Sequence, residues 1–301
     1  MDRLGAMRVF VTVADTGSLS AAGRRLRMPL ATVSRQLAQL EDEVGARLVT
    51  RTTRHLALTE PGRHYLEACR RVLEEVEAAD RRLAGERSEP GGTLALTAPV
   101  AFGRLHVLPV VMEFLARFPQ MEARMLLVDR PVDLIEEGLD VAVRIGALAD
   151  SSLVATRVGA VRPILVASPD YLKVHGSPRT PDDLGGHDCI AFLALAAADR
   201  WTFGGKTGKR SVKVRARLSV NSAEAAVDAA IQGLGITRVL SYQGASALAE
   251  GSLSRVLGAY EVDEVSVSIL HREARLPQLK VQAFVGFAAE RLRKRLMPAR
   301  R

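Results

Sequence analysis

The chain has 301 residues, with 42 Lys and Arg against 34 Asp and Glu, for a formal charge of +8. Apolar residues make up 48% and charged residues 25%, which excludes wholesale disorder and collagen-like fibres. At this length two or three domains, each able to bury a core, are expected. No apolar run approaches the ~20 residues needed to cross a bilayer. The stretch from Phe192 to Ala198 is far shorter, so a soluble chain is expected, without membrane contact. A secretory signal fits poorly, because the apolar stretch from Met7 to Ala14 is short and Asp15 follows it. Cys69 and Cys189 lie far apart without Cys-x-x-Cys, and the histidines are scattered singly. No metal site, disulfide or cofactor is therefore expected, and a reducing cytoplasmic setting is the default.

The positive charge is confined to the two ends. Residues 1–66 hold ten Arg against six acids, and residues 291–301 hold five Arg, one Lys and no acid. The stretch between is slightly acidic. Within the N-terminal part, Arg24, Arg25, Arg27 and Arg35 fall in an acid-free window from Thr16 to Leu40. Arg47, Arg51 and Arg54 fall in another, from Val44 to Thr59.

Taken in chain order, Leu4, Met7, Phe10, Val11 and Ala14 predict an amphipathic helix over 2–15, ended by Gly17. Ser18 is a good cap for a short second helix carrying Leu19, Ala21, Ala22 and Leu26. Pro29 opens a third helix running to about Val44. Val33, Leu37, Leu40 and Val44 point inward on it, leaving Thr32, Arg35, Gln36 and Gln39 as an outward strip suited to base edges and phosphates. Two short strands, over 48–50 and 55–58, flank a turn bearing Arg51, Thr52, Thr53 and Arg54. A charged hairpin beside such a helix is a wing whose arginines would reach the backbone or minor groove of DNA. The alternative is a small three-helix bundle with an arbitrary basic loop.

Thr59, Glu60 and Pro61 open a long helix reaching about Ala84, before a linker marked by Gly85 and Pro90-Gly91-Gly92. Along it Tyr65, Cys69, Val72, Val76, Ala79 and Leu83 recur at alternating spacings of four and three, the pattern of a coiled-coil seam. Such a helix pairs with a second copy or packs on its own domain. Beyond the linker, strand-like runs at 93–98, 123–128, 140–144, 153–158, 162–167, 212–220, 236–239 and 265–270 alternate with helical segments at 104–117, 132–137, 222–232 and 279–296. Asn221 with Glu224 reads as a capping box, and the alternation predicts mostly parallel sheets covered on both faces.

The stretch from Phe10 to Gly62 resembles the winged helix-turn-helix of LysR-type transcriptional regulators. The matching residues are Gly17-Ser18, Ala21-Ala22, Leu26, Val33 to Leu37, Leu40-Glu41, Gly45, Arg47-Leu48, Arg51, Arg54, Leu58-Thr59 and Gly62. Two positions depart from the family pattern: Pro29-Leu30 where a polar residue usually opens the reading helix, and Val49 where Phe is common. The later segments Leu96 to Pro99, Asp140 to Gly146, Ala167 to Leu172, Pro181 to Leu184 and Gly233 to Ile236 are similar to the family's effector-binding domain. The resemblance implies a winged helix-turn-helix over 1–58, a linker and dimerisation helix with hinge over 59–90, and an α/β effector domain over 91–301. That domain would resemble periplasmic binding proteins, with one subdomain at about 91–160 and 268–301 and the other at about 161–267.

The same resemblance adds Ser18, Leu30 and Ser34 to the candidate DNA contacts, and implies a homodimer through the linker helix, a tetramer or larger assembly, and contact with RNA polymerase. Two-fold pairing would place two reading helices on a dyad-symmetric operator. Ligands of open α/β sheets sit beyond the carboxyl ends of strands. That rule selects Thr97, Pro99, Val100, Phe102, Arg144, Ile145 and Asn221. Arg144 either pairs with the carboxylate of an acidic metabolite or makes a structural ion pair.

No enzyme motif holds up. The Gly205-Lys206-Thr207 stretch has Arg200 where a phosphate-binding loop needs Gly, and Gly233-Leu234-Gly235 follows a helix and has Arg238 at the third glycine position. The expected function is effector-controlled transcription regulation without catalysis; the alternative is a ligand sensor whose N-terminal domain contacts protein.

Overall fold

The computed structural model describes residues 2–51, 56–83, 89–146, 153–195, 200–204, 209–273 and 278–297. Thr53 and Arg54 of the expected wing lie outside the described residues, as do the side chains of Arg51, Ala79 and Leu83. The chain divides into two compact units, Met1–Glu89 and Pro90–Arg301.

The first unit runs α1 (Arg3–Thr16), α2 (Leu19–Leu26), α3 (Leu30–Val44), β1 (Val49–Arg51), β2 (Leu56–Leu58) and α4 (Glu60–Leu83). Asp2 caps α1 by accepting the Gly5 N–H at 2.9 Å, and Ser18 caps α2 by accepting the Ala21 N–H at 3.4 Å. The turn from α2 into α3 is tight. Arg27 adopts a left-handed φ of 54°, and a Cβ on Gly23 would lie 2.8 Å from the Met28 carbonyl oxygen. Only glycine fits there.

Val9, Phe10 and Val13 of α1, Ala22 of α2, and Val33, Leu37 and Leu40 of α3 close around Leu48 to form the core. Leu4, expected on the buried face, is 40% exposed, because the buried stripe of α1 runs through Ala6, Val9, Phe10 and Val13. Helix α4 contributes Leu66, Cys69 and Leu73 to this same core. The expected seam is thus divided. Cys69 is fully buried within its own unit, and Tyr65 lies against Phe10 with ring centroids 6.0 Å apart. Val72 remains 39% exposed and Val76 half-buried. At 100° per residue, Leu66, Cys69 and Leu73 form the stripe that meets α1, and Val72 falls beside it. Burial pushes the Cys69 thiol up to about 11, so it packs as a small apolar group.

The second unit is built on two five-stranded sheets. Its first part runs β3 (Gly92–Ala98), α5 (Val100–Phe102), α6 (Leu108–Arg117), β4 (Met121–Leu127), β5 (Val141–Ile145) and β6 (Leu153–Val161). The middle part runs β7 (Pro163–Ala167), α7 (Pro169–His175), β8 (Cys189–Phe192), β9 (Arg200–Phe203), β10 (Arg210–Lys213) and β11 (Ala216–Val220). It continues with α8 (Ala223–Ile231), β12 (Ile236–Leu240), α9 (Ala245–Ala249) and β13 (Ser254–Val256). Strand β14 (Val265–Arg272) and helix α10 (Leu279–Leu296) return to the first sheet and its core.

The first sheet has the order β4-β3-β5-β14-β6 and the second β11-β8-β12-β7-β13, with β9 and β10 forming a separate hairpin. These sheets are mixed, not mostly parallel. Strand β3 runs parallel to β4 and β5, whereas β14 runs antiparallel to β5 and β6, and β7 antiparallel to β12 and β13. The reversals arise because the chain passes directly from β6 to β7, and from β13 back to β14, exchanging sheets without a crossover helix. Along β7, Ile164 and Val166 join one apolar cluster while Leu165 and Ala167 join another, so both sheet faces are covered.

Other expectations change as well. The segment 132–137 forms turns instead of a helix, and 212–220 divides into β10 and β11. Ser222, not Asn221, caps α8 by accepting the Ala225 N–H at 3.2 Å.

A buried ion pair ties α10 to the start of the sheet. Lys280 Nζ donates to the Thr93 carbonyl at 2.7 Å and lies 3.3 Å from Asp140 Oδ2, which also accepts the Ala95 N–H. Both side chains are almost sealed from solvent. Removing one partner of such a pair strands a buried charge. Lys280→Met is therefore expected to cost about 3–5 kcal/mol of stability, read by urea unfolding, with the double variant Lys280→Met/Asp140→Asn recovering part of the loss.

Candidate functional site

The first unit presents α3 with Arg35 and Gln39 exposed and Thr32 and Ser34 half-buried. Leu30 opens the helix at 50% exposure. Arg24, Arg25 and Arg27, at the end of α2 and in the turn, are also exposed. Gln36 differs from the expected outward strip: it is half-buried, and its Oε1 is enclosed without a hydrogen-bond partner among the described residues. Ser18 is occupied in capping α2. The strip of exposed arginine and amide side chains, free of acids, is chemically suited to phosphate oxygens and base edges.

A junction at Leu48 fixes how the wing meets this helix. The buried Glu41 carboxylate, 5% exposed, accepts the Leu48 N–H at 2.8 Å and the Val49 N–H at 3.1 Å through Oε1. Its Oε2 meets Arg47 Nη1 at 2.9 Å. From the other side, the Thr59 N–H donates to the Leu48 carbonyl at 3.0 Å and the Thr59 hydroxyl to the Arg47 carbonyl at 2.6 Å. Thr59 Oγ1 also caps α4 by accepting the Gly62 N–H at 2.9 Å. A Cβ at position 62 would fall 1.9 Å from the Leu48 oxygen, so α4 can start here only with glycine. Sequence reasoning placed Glu41 within the family pattern but not in this role.

In the second unit, two cavities lie between the two sheets. One, of about 430 Å³, is lined by Pro99, Asp129, Ile145 and Gly146 on one side and by Phe192, Thr202, Arg238, Leu240, Tyr242 and Gln243 on the other. The other, of about 510 Å³, is lined by Val100, Asp129, Arg130, Pro131, Leu193, Ala194 and Asn221. Asp129 and Ala194 line both, so the two form one cleft. Contacts span it: Tyr242 meets Phe102 edge-on at 5.3 Å and His106 at 5.4 Å, and Arg104 Nη2 lies 3.5 Å from Glu224 Oε1. A single π-helical turn, Gly103–Val107, joins α5 to α6 beside these contacts. Such turns concentrate at functional sites.

Of the seven expected ligand residues, Pro99, Val100, Ile145 and Asn221 line the cleft. Thr97 and Phe102 do not, because each is fully buried in the layer beneath. Arg144 is half-buried and lines neither cavity; it donates to Thr97 Oγ1 and to the Val143 carbonyl, both at 3.5 Å. Asp129, Arg238 and Tyr242 were not anticipated. Burial raises the Asp129 carboxyl above its ordinary range, although the Val100 N–H, donating at 3.1 Å, opposes this. Burial also lowers the Arg238 guanidinium and raises the Tyr242 phenol. Arg238 lies 5.8 Å over the ring of buried Trp201.

Residues 4–63 match the family model described as bacterial regulatory helix-turn-helix protein, lysR family. Residues 87–293, more than half the chain, match the LysR substrate binding domain. The chain belongs to the LysR-type transcriptional regulators. It is 34% identical over 288 residues to an HTH-type transcriptional regulator of Xanthomonas campestris, covering 94% of this chain and 84% of that one. It is 31% identical to the HTH-type regulator YhjC of Escherichia coli, covering 96% and 97%. Among solved structures it is similar to CrgA of Neisseria meningitidis, with a TM-score of 0.62, 29% identity and coverage of 96% and 98%. It is also similar to the full-length virulence activator AphB of Vibrio cholerae, with a TM-score of 0.61, 27% identity and coverage of 95% and 98%. This LysR-type regulator thus carries its helix-turn-helix DNA-binding domain in the first unit and its effector-binding domain in the second.

Arg35→Ala is expected to weaken operator binding by about 10- to 100-fold in a mobility-shift titration, and to leave thermal stability almost unchanged. Glu41→Ala leaves the buried Leu48 and Val49 N–H groups without acceptors. It is expected to cost about 2–4 kcal/mol of stability in urea unfolding and to weaken operator binding as a consequence.

Proposed function

We propose that the chain binds a dyad-symmetric operator as a homodimer, in the cytoplasm, and releases or re-shapes that DNA in response to a small molecule held in the cleft of the second unit. The observation that carries the reading is the acid-free strip of α3, where Arg35 and Gln39 are exposed beside Arg24, Arg25 and Arg27. Thr32, Ser34 and Leu30 extend it, and the wing residues Arg51, Thr53 and Arg54 would add phosphate contacts. The functional divisions follow as a reading domain over 1–58, a linker helix and hinge over 59–90, and an effector domain over 91–301.

Pairing through α4 is supported by Val72, exposed on a helix whose apolar side chains Leu66, Cys69 and Leu73 are already used internally. Val76, Ala79 and Leu83 continue that row at spacings of four, three and four. Further association into tetramers and contact with RNA polymerase belong to the same reading. The protein acts by binding alone, without catalysis.

The effector changes DNA affinity only so far as it favours one arrangement of the assembly over another. The alternative, a sensor whose first unit contacts protein, makes a different forecast. In a mobility-shift series with the full-length chain and its own upstream region, the regulator reading expects a sequence-selective complex at moderate salt that weakens steeply as salt rises. Equal affinity for unrelated DNA, or no complex, would overturn it.

A further inference from the structure

The positive charge of the chain gathers in two places, and the reading helix and wing account for only the first. The second lies at the end of α10, where Arg291, Arg293, Lys294 and Arg295 stand together. At 100° per residue, Arg293, Lys294 and Arg295 fan around the side of the helix opposite buried Leu292, and all three are exposed. Neighbouring elements extend the fan on both flanks. Arg293 Nη2 donates to the Arg157 carbonyl at 3.2 Å, which places the end of α10 beside exposed Arg157 on the edge strand β6. On the other flank the Arg291 guanidinium stacks on Phe287 at 3.3 Å, Phe287 meets Phe118 at 6.5 Å, and exposed Arg117 lies over the Phe118 ring at 5.5 Å.

The acids of these elements are too few to neutralise the ridge. Helices α6 and α10 and strand β6 carry Glu113 and Glu290 alone, against the six cations named. The two carboxylates have different roles. Glu113 is shared by Arg291 Nε at 2.7 Å and Arg295 Nη2 at 3.2 Å, and so ties α10 to α6. Glu290 meets Lys294 Nζ at 2.7 Å, but both side chains are largely in solvent, and a pair so exposed yields readily to another anion. Arg117, Arg157 and Arg293 make no ion pair among the described residues.

A duplex backbone is the partner that this surface fits. None of the six cations lines either cavity, so the ridge is not shaped around one small anion. Five of them are arginines, whose planar fork matches phosphate oxygens in pairs. DNA is also the polyanion that this regulator holds through its first unit. Attachment to the same chain raises its effective concentration, at which contacts too weak to bind alone become populated.

We propose that the basic ridge at the end of α10 is a second DNA-contacting surface, which holds backbone phosphates without reading bases. Selectivity stays with α3, and the ridge adds affinity that is blind to sequence. Each phosphate it neutralises releases condensed counterions, so its share of the binding appears in the salt dependence.

The test is a mobility-shift titration of the full-length protein across salt concentrations, on a duplex from its own upstream region and on an unrelated duplex of equal length. The variant Arg157→Gln/Arg293→Gln/Lys294→Gln removes three cations and keeps the Glu113 pairs that secure α10. The control Lys173→Gln/Lys209→Gln/Lys213→Gln removes the same charge from exposed positions elsewhere in the second unit. Thermal unfolding followed by circular dichroism verifies that both fold. The ridge variant is expected to bind both duplexes more weakly by the same factor, about 10-fold or more near 0.1 M salt, with a slope of log K against log salt shallower by about 2–3. The control is expected to keep the wild-type slope. An unchanged slope in the ridge variant would overturn the proposal, and so would an equal change in the control, which marks a general field effect. An unchanged slope together with lower transcription by purified RNA polymerase from the bound promoter would replace DNA with an acidic protein surface as the partner. The slope difference is read on unrelated DNA as well, so its failure is distinct from failure of the regulator reading, which is a loss of sequence selectivity.

Discussion

The peptide from Arg47 to Val49 is the point on which the first unit depends. Glu41 reaches it from the end of α3, and Thr59 reaches it from the start of α4. Leu48 places its side chain in the core while its N–H and carbonyl face these two partners. One residue thereby sets the wing strand, the reading helix and the linker helix in a single geometry. The interaction is strong because the carboxylate is buried and charge-assisted hydrogen bonds gain in a low-dielectric site. It is also unforgiving, since a methyl group at Gly62 would collide with the Leu48 oxygen.

The second unit uses a different economy. Its rigid parts are the two sheets and the Lys280–Asp140 pair that holds α10 to β3. Across the cleft, by contrast, the contacts between the two halves are lighter. The Arg104–Glu224 pair at 3.5 Å is exposed on both sides, and exposed pairs contribute about 0–1 kcal/mol. Tyr242 touches Phe102 and His106 edge-on. Contacts this modest can be exchanged for contacts with a ligand, whereas the buried pair cannot. The strongest and the weakest contacts of this unit are therefore made by separate groups of residues.

Much of the first unit was legible in the sequence because its signals are local. Gly17, Ser18, Pro29 and Gly45 mark helix ends within one turn of the residues they serve. Glu41 was not legible as a clamp, since an acid late in a helix reads as solvent-facing until Leu48 is folded against it. The seam on α4 was legible only in part for a related reason: a four-three spacing fixes one apolar stripe but not how much of it a second copy or the same chain covers. In the second unit, β7 and β12 were recognisable as apolar runs, but the reversal of β7 against β12 depends on where the chain changes sheet. Arg238 was hidden inside the run from Ile236 to Leu240, and its position over Trp201 joins residues distant in sequence. Asp129 follows an apolar run and carries no motif of its own, and only the folded cleft shows that it lines both cavities.

The Leu48 junction belongs to the hydrogen-bonded core of the first unit and is not a loosely attached hairpin. Hydrogen exchange at the Leu48, Val49 and Thr59 amides measures this directly. If the junction holds as described, these amides exchange only when the whole unit opens, at the same rate as the Leu37 and Leu40 amides of α3. Exchange orders of magnitude faster than those helix amides would instead mean that the wing opens locally, apart from the core.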